Sequence, residues 1–378
     1  MKLIRDVRFL RVLAQVVFLG LVLLFCYWIY NNVASKGVVV DFSFLERTAG
    51  FTVSDAIPHQ RDDSNLKLFL VGVVNTLRVI VIGIILASIL GLIAGIARLS
   101  KNWLINKIAA VYVETIRNTP LLVQLFFWYI AVFLQLPGVR EAIRLPGEII
   151  LSQRGLILPR PFGLESWEMW SVFLLEGLLV GLFVFIMRRR HLRRIERPGF
   201  PLLWGLGAFA GIALITWFIL PGSPVALEFA EFQGFNYSGG LELTPEFAAL
   251  LFGLVVYTGA FIAEIVRAGI QSVSKGQREA SNSLGLGPVQ TLRLVILPQA
   301  LRVIVPPLTS QYLNLAKNSS LASATGYKDL FGVSQTIREN TGREIEIILM
   351  IAGSYLILSL GTSLFMNWYN RKIKLVER

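Results

Sequence analysis

Eight stretches of this chain stay apolar for roughly 20 residues each, the length a helix needs to cross a bilayer core about 30 Å thick. They lie at about 10–30, 68–97, 119–136, 168–187, 201–220, 246–266, 297–320 and 345–369. The third is the shortest, and its helix has room to begin earlier, within 108–118. The chain's 378 residues would suit two or three soluble domains, but 54% are hydrophobic and 16% charged, against about 45–50% and about 25% in soluble domains. This balance excludes a disordered chain, a fibrous repeat and almost any soluble enzyme. The single cysteine, Cys26, excludes an intrachain disulfide and a cysteine-based metal site, and two histidines, His59 and His191, make a zinc site implausible. No metal site is expected.

The net charge of +12 admits a nucleic-acid reading, but in so apolar a chain it points to basic loops on the cytoplasmic face of a membrane. With the N-terminus inside, segments 1–11, 98–117, 188–197, 267–302 and 371–378 hold 23 of the 36 Lys and Arg. The outside segments 31–67, 137–167, 221–245 and 321–343 hold 11, and Arg78 and Lys317 fall within spans. This twofold bias predicts both termini inside and an even number of spans. The run RRRHLRR at 188–194 is the strongest anchor and is expected to face anionic lipid. The first span has a basic start, but its apolar run is too long for a signal peptide and no clear cleavage site follows. It is expected to remain as a helix.

The outside loops carry no recognisable catalytic chemistry. Loop 31–67, with five acids, is expected to be solvated; in loop 137–167, broken by four prolines, Gly147–Leu158 is expected to lie along the interface. Inside loop 267–302 differs, being neither low-complexity nor rich in glycine and serine. Helical patterning resumes around Gln277–Leu284, Gly285 and Gly287 stop it, and Pro288 suits the first turn of the next helix. A structured loop on one face is either a docking surface or an amphipathic surface helix without a partner.

Polar groups within spans are functional candidates. Gln311, Asn314 and Asn318 fall at i, i+3 and i+7 on one stripe of the seventh span, followed by Lys317, Ser319 and Ser320. The stripe suits a substrate path; interhelical hydrogen bonding and a snorkelling Lys317 are the structural alternatives. Glu264 with Arg267, and Glu114 with Arg117, have the i, i+3 spacing of local ion pairs. Glu176 sits mid-span, and Arg78 is expected to pair or to point into a cavity. The motifs GxxxxGK[ST], HExxH and GxSxG are absent. If transport is driven by ATP, another subunit must supply the ATPase.

Loop 267–302 resembles a phrase of the permease subunits of bacterial type I ABC importers: E-A-A, three residues, Gly, nine residues, I-x-L-P. Glu279-Ala280-Ser281 stands at E-A-A, Gly285 at the glycine, and Val295, Leu297 and Pro298 at I-x-L-P. NTLRV at 75–79, ETIRNTPLLVQLFFWY at 114–129, GAFIAEIVRAGIQSVSKGQREA at 259–280 and LPQALRVIVPPLTSQYLNLAKNSSL at 297–321 resemble polar amino-acid permeases of the histidine/glutamine type. The likeness covers about 66–136 and 240–372. Eight spans with a long insertion resemble the general L-amino-acid importer subclass, in which two different permease chains usually pair.

The resemblance implies an all-α polytopic fold with a five-helix core and about three additional helices. It divides the chain into an N-terminal helix and periplasmic loop (1–65), first core part (66–136), insertion (137–240) and second core part (241–378), with a coupling helix at about 274–290. It implies that Glu279, Ala280, Leu284 and Gly285 couple to the ATPase, and that Gln311, Asn314, Lys317, Asn318 and Ser319 form the substrate path. Relatives often carry Glu where this chain has Gln311, so neutral or broad amino-acid specificity is expected. The implied partners are an ABC ATPase dimer binding ATP and Mg, a second permease subunit (a different chain favoured over a second copy), a periplasmic substrate-binding protein and the bacterial inner membrane. No cofactor is expected in this chain, and no nucleic acid as a partner. An ion-coupled secondary amino-acid transporter is the alternative; a membrane enzyme or a non-transporting scaffold is less favoured.

Overall fold

The computed structural model describes residues 7–35, 40–54, 57–195 and 199–373. The basic ends expected in the cytoplasm, 1–6 and 374–378, lie outside the described residues. The chain is mostly helical. The elements are α1 (Val7–Ser35), α2 (Asn65–Ala97), α3 (Trp103–Arg117), α4 (Leu121–Phe126), α5 (Trp167–Arg194), α6 (Pro201–Ile219), α7 (Pro245–Gln271), α8 (Lys275–Ser283), α9 (Pro288–Thr291), α10 (Leu297–Asn318), α11 (Leu330–Thr341) and α12 (Glu344–Ile373). Among the described residues six helices are long and apolar enough to cross a membrane, and seven if the pair α3–α4 is one span. Helix α1, 29 residues long, encloses the expected first span at about 10–30.

The third expected span is a bent unit. Trp103–Arg117 and Leu121–Gln135 meet at 108°. Pro120 caps α4 with ψ at 136°, so the break falls where proline lacks an N–H and restricts the residue before it. Past α4 the backbone widens into a π-turn over Phe127–Val132.

Helices α2 and α7 form the centre. Gly91 makes their close approach possible: a Cβ there would lie 2.5 Å from Ile262, well inside contact distance. Helix α10 joins them through Ile304, Leu315 and Ala316, packed with Ile80, Ala87, Ile262 and Val266. Helices α3 and α4 cover α7, and α11 covers the first half of α2, where Leu330, Val333 and Ile337 meet Leu68, Phe69 and Val71. The phrase Asn75–Val79 fixes this arrangement. Asn75 Nδ2 donates to the Lys328 carbonyl at 2.9 Å, Thr76 Oγ1 accepts from the Leu330 N–H at 2.9 Å, and the Arg78 guanidinium lies 4.8 Å from the Phe247 ring centre.

Three findings depart from the expected loops. Segment 40–54 is anchored rather than simply solvated: Phe44, Ala49 and Val53 are buried against α2 and α11, and Asp41 pairs with Arg343 at 3.3 Å. The stretch 147–158, expected along the interface, has strand structure. It forms β2 (Ile149–Ser152) and β3 (Gly155–Leu158) of an antiparallel sheet ordered β1-β2-β3-β8, with β1 at Ile143–Leu145 and β8 at Leu241–Leu243. Strand β4 (Arg160–Gly163) pairs with β5 (Val225–Glu228), and β6 (Glu231–Gln233) with β7 (Asn236–Ser238). Every second residue is buried, Ile150 and Ser152 on β2 and Gly155 and Ile157 on β3, with Ile150 opposite Ile157, a two-residue period that fits strands and not a helix. Third, α5 and α6 pack on each other rather than on the centre, with Gly181 and Gly205 at their crossing. Their outward faces remain apolar and exposed, Phe183, Leu203 and Phe218 among them.

Candidate functional site: an exposed turn and a mid-span polar face

The loop after α7 is built as a rigid projection. Val273 is buried among α7 and α10 side chains, so the chain leaves the bundle from an anchored point. Ser274 caps α8, and Ser281 is the buried residue on its inner side. The opposite side faces outward: Glu279, Ala280, Leu284 and Gly285 are all exposed. The helix ends in a Schellman motif. The Leu286 N–H donates to the Ser281 carbonyl at 3.1 Å and the Gly285 N–H to the Asn282 carbonyl at 2.9 Å. This turn requires Gly285 at φ 73°, a conformation costly for residues with a Cβ. Gly287 precedes α9, Pro288 takes its first position, and the Gln290 side chain accepts from the Gly287 N–H at 3.0 Å. Gln299 Nε2 donates to Gln277 Oε1 at 3.3 Å and to the Val295 carbonyl at 3.0 Å, fastening α8 to the base of α10.

The helix–turn–helix of 275–291 therefore matches the pattern expected from residues 277–288. Leu284 is 80% exposed and Val289 77%. Two apolar side chains are thus held in the open by a capped turn. Val289 was missed in the sequence, although a valine directly after Pro288 on a surface helix was a usable signal.

The polar stripe of α10 is only partly assembled within one chain. Gln311 and Asn318 are half-buried and Asn314 and Lys317 exposed. Ser319 is fully buried; it donates to the Ala316 carbonyl at 2.8 Å and also contacts Tyr355, a residue of the cavity described next. Lys317 and Ser320 line an open cavity of about 440 Å³ with Tyr355, Leu356 and Ser359. Tyr355 is eleven residues into α12, about 17 Å along its axis, and Lys317 is in the last turn of α10. Prolines 306 and 307 interrupt α10 below the stripe, and a π-turn over Leu292–Ile296 precedes the helix. Both loosen the hydrogen-bond ladder between the exposed turn and the cavity.

Charged side chains tie the helices together at the end of the bundle that carries the exposed turn. Glu264 Oε2 accepts from Arg98 Nη1 at 3.0 Å and from Arg267 Nε at 3.0 Å. The expected Glu264–Arg267 pair is present. Glu114 instead meets Arg98 at 3.4 Å, while Arg117 lies 5.1 Å from the Phe261 ring centre. The bend after α3 turns Arg117 towards α7 and leaves Glu114 to the arginine that ends α2. Glu176 is exposed on α5. At the opposite end Asp329 is fully buried. It caps α11 through the Gly332 N–H at 2.9 Å and accepts from Tyr355 OH at 3.1 Å. Burial pushes its carboxyl up to about 6 against the donors around it.

Known proteins bear on this geometry. The profile of the family described as binding-protein-dependent transport system inner membrane component matches residues 177–375. A putative amino-acid ABC transporter permease protein, YhdX of Escherichia coli, is 44% identical over 97% of this chain and 94% of its own. The general L-amino acid transport system permease protein AapQ of Rhizobium johnstonii is 42% identical over 99% of this chain and 94% of its own. The glutamate/glutamine/aspartate/asparagine transport system permease protein BztB of Rhodobacter capsulatus is 42% identical, covering 100% of this chain and 96% of its own. The exposed turn and the apolar helices agree with these matches over nearly the whole length: the chain belongs to the family of binding-protein-dependent transport system inner membrane components, as a membrane transport component and not an enzyme.

Proposed function

We propose that this chain is the permease subunit of an ATP-driven importer of L-amino acids, of neutral or broad specificity. The observation that carries the proposal is the 275–291 turn. It is stiffened by a Schellman cap at the end of α8, held at φ 73° by Gly285, and exposes Glu279, Ala280 and Leu284 at the end of a helical bundle. A rigid element of this kind transmits closure of an ATPase dimer; a flexible tether would absorb it. ATP and Mg belong to that ATPase, and a periplasmic binding protein delivers the substrate to the far end. The permease core is 66–136 with 241–378. The insertion 137–240 adds the strands and the α5–α6 hairpin, and 1–65 adds α1. Counting α1 and the bent α3–α4 unit as spans gives eight in the bacterial inner membrane, with both termini in the cytoplasm.

The substrate path runs along Gln311, Asn314, Lys317 and Asn318 into the cavity at Ser320 and Tyr355. Polar groups left open within a membrane-spanning helix are costly in lipid. Their exposure in one chain favours a second permease against this face, a different chain rather than a second copy. Purifying the tagged chain in mild detergent from its native membrane, with mass spectrometry of what accompanies it, tests the proposal. A P-loop ATPase together with a second, non-identical permease is expected. Recovery of the chain alone, under conditions that hold other membrane complexes together, would overturn it.

A further inference from the structure

A second cavity lies at the end of the bundle opposite the docking turn. It has a volume of about 290 Å³, and its lining includes Thr52, Ser54, Thr244, Glu246, Tyr327 and Lys328. Glu246 is in the first turn of α7, and α8 follows the other end of that helix. The 27 residues of α7 separate the cavity from the docking turn by about 40 Å, so the two open on opposite faces of the membrane. Below the cavity the Phe247 and Tyr327 rings lie 5.3 Å apart, under a segment pinned to α2 by Asn75 and Thr76.

The charges in this cavity are arranged unusually. Glu246 and Lys328 are opposite in sign and line one space, yet among the described residues neither takes part in an ion pair with the other or with any third group. Each is held by a neutral hydroxyl instead. Tyr129 OH donates to Glu246 Oε1 at 3.1 Å, and Lys328 Nζ donates to Thr336 Oγ1 at 3.1 Å. Glu246 keeps its second oxygen as an acceptor, and Lys328 keeps two of its three N–H donors. A sphere of 290 Å³ is about 8 Å across, the span a small zwitterion fills once its ammonium and carboxylate each lie about 3 Å from a partner. The mixed polar and aromatic lining leaves room for a side chain of moderate size.

We propose that this cavity is an entry subsite for the free amino acid on the outer face, with Glu246 receiving the α-ammonium group and Lys328 the α-carboxylate. It selects for the zwitterionic backbone that all α-amino acids share and leaves discrimination of side chains to the path below. Because Tyr129 belongs to the π-turn of the bent α3–α4 unit, occupation of the subsite also reaches that element through Glu246. The inference rests on the amino-acid importer reading.

The test uses the whole importer complex in lipid nanodiscs, without its binding protein, and follows binding of L-glutamine, its des-amino analogue glutaramate and its decarboxylated analogue 4-aminobutyramide by saturation-transfer NMR. ATP-driven L-glutamine uptake by the same complex with its binding protein in proteoliposomes is run beside it. Wild type should bind L-glutamine at least about tenfold tighter than either analogue, the loss of one charged hydrogen bond. Glu246→Gln keeps an acceptor for Tyr129 and should erase the preference over glutaramate alone. Lys328→Gln should erase the preference over 4-aminobutyramide alone. Preferences unchanged in both variants, while wild-type uptake is intact, would overturn the subsite and leave the importer reading standing. Absence of ATP-driven uptake in wild type would overturn both.

Discussion

Substitution of Gly285 separates backbone strain from surface charge at the docking turn. The residue sits at φ 73°, and a Cβ built there meets no heavy atom within 4 Å. A side chain therefore brings no clash, and the whole cost is the left-handed backbone, about 1–2 kcal/mol for an ordinary L-residue. The two hydrogen bonds that close the turn contribute about 1 kcal/mol each net. The strain is thus as large as one of the bonds holding the turn, and small beside what holds α8 to Val273 and Gln299. Gly285→Ala should loosen the turn and lower ATP-driven uptake about fivefold, the effect of about 1 kcal/mol. Gly285→Val should do worse, because a β-branched residue tolerates this region least. Gly285→Asn should stay within about twofold of wild type, since Asn adopts the left-handed region readily. Gly285→Asp has nearly the same backbone tolerance as Asn but sets a carboxylate beside Leu284 and Glu279. It should abolish uptake while membrane insertion, followed by yield and monodispersity in detergent, stays normal. Uptake is measured in proteoliposomes holding the ATPase and partner permease. Normal uptake by Gly285→Asp would refute the docking role of the turn, and Val performing as well as Asn would refute the strain argument.

Three other variants probe separate parts of the account. Leu284→Ala removes a side chain that is 80% exposed, so the thermal midpoint should not move while ATPase co-purification weakens; an unchanged yield of ATPase would count against the apolar contact. Gln311→Leu should change the relative uptake of different amino acids, and an unchanged profile would take Gln311 out of the path. Asp329 gives a pH signature. Its carboxyl titrates at about 6 when folded against 3.8 ordinarily, so the folded chain binds this proton more tightly than the unfolded one. The stabilisation is present in full below pH 3.8 and lost as pH rises through 6, a change of about 3 kcal/mol. Asp329→Asn should flatten that part of the pH–stability curve in detergent; an identical slope in wild type and variant would reject the assignment.

The parts of the molecule most legible in the sequence are those whose causes are local. Apolar length marks the long helices, and the order Gln277–Leu284, Gly285, Gly287, Pro288 describes α8, its cap and the start of α9 nearly residue for residue, because cap chemistry acts over a few positions. The strands were hidden for the opposite reason. They are three or four residues long, and β3 pairs with β8 by placing Ile157 opposite Glu242, a partnership between two loops separated by the α5–α6 hairpin. The i, i+3 spacing of Glu114 and Arg117 was correct as geometry and wrong as a pairing, since the bend at Pro120 brought Arg98 and Phe261 within reach. Gln311, Asn314, Lys317 and Asn318 were recognisable as a stripe, but the turn of Ser319 into the protein depends on the 3-10 segment that begins there, which side-chain type alone does not reveal. Glu246 and Lys328 were not singled out, because their significance lies in sharing a cavity without pairing.

The most direct measurement of the central claim is uptake of radiolabelled amino acids into proteoliposomes containing this chain, its co-purifying permease and ATPase, and the binding protein. The account predicts accumulation that requires ATP and Mg on the ATPase side, proceeds without any ion gradient, and is lost in Gly285→Asp. Accumulation driven by a proton or sodium gradient, indifferent to ATP and to Gly285→Asp, would contradict it and place the chain among ion-coupled transporters.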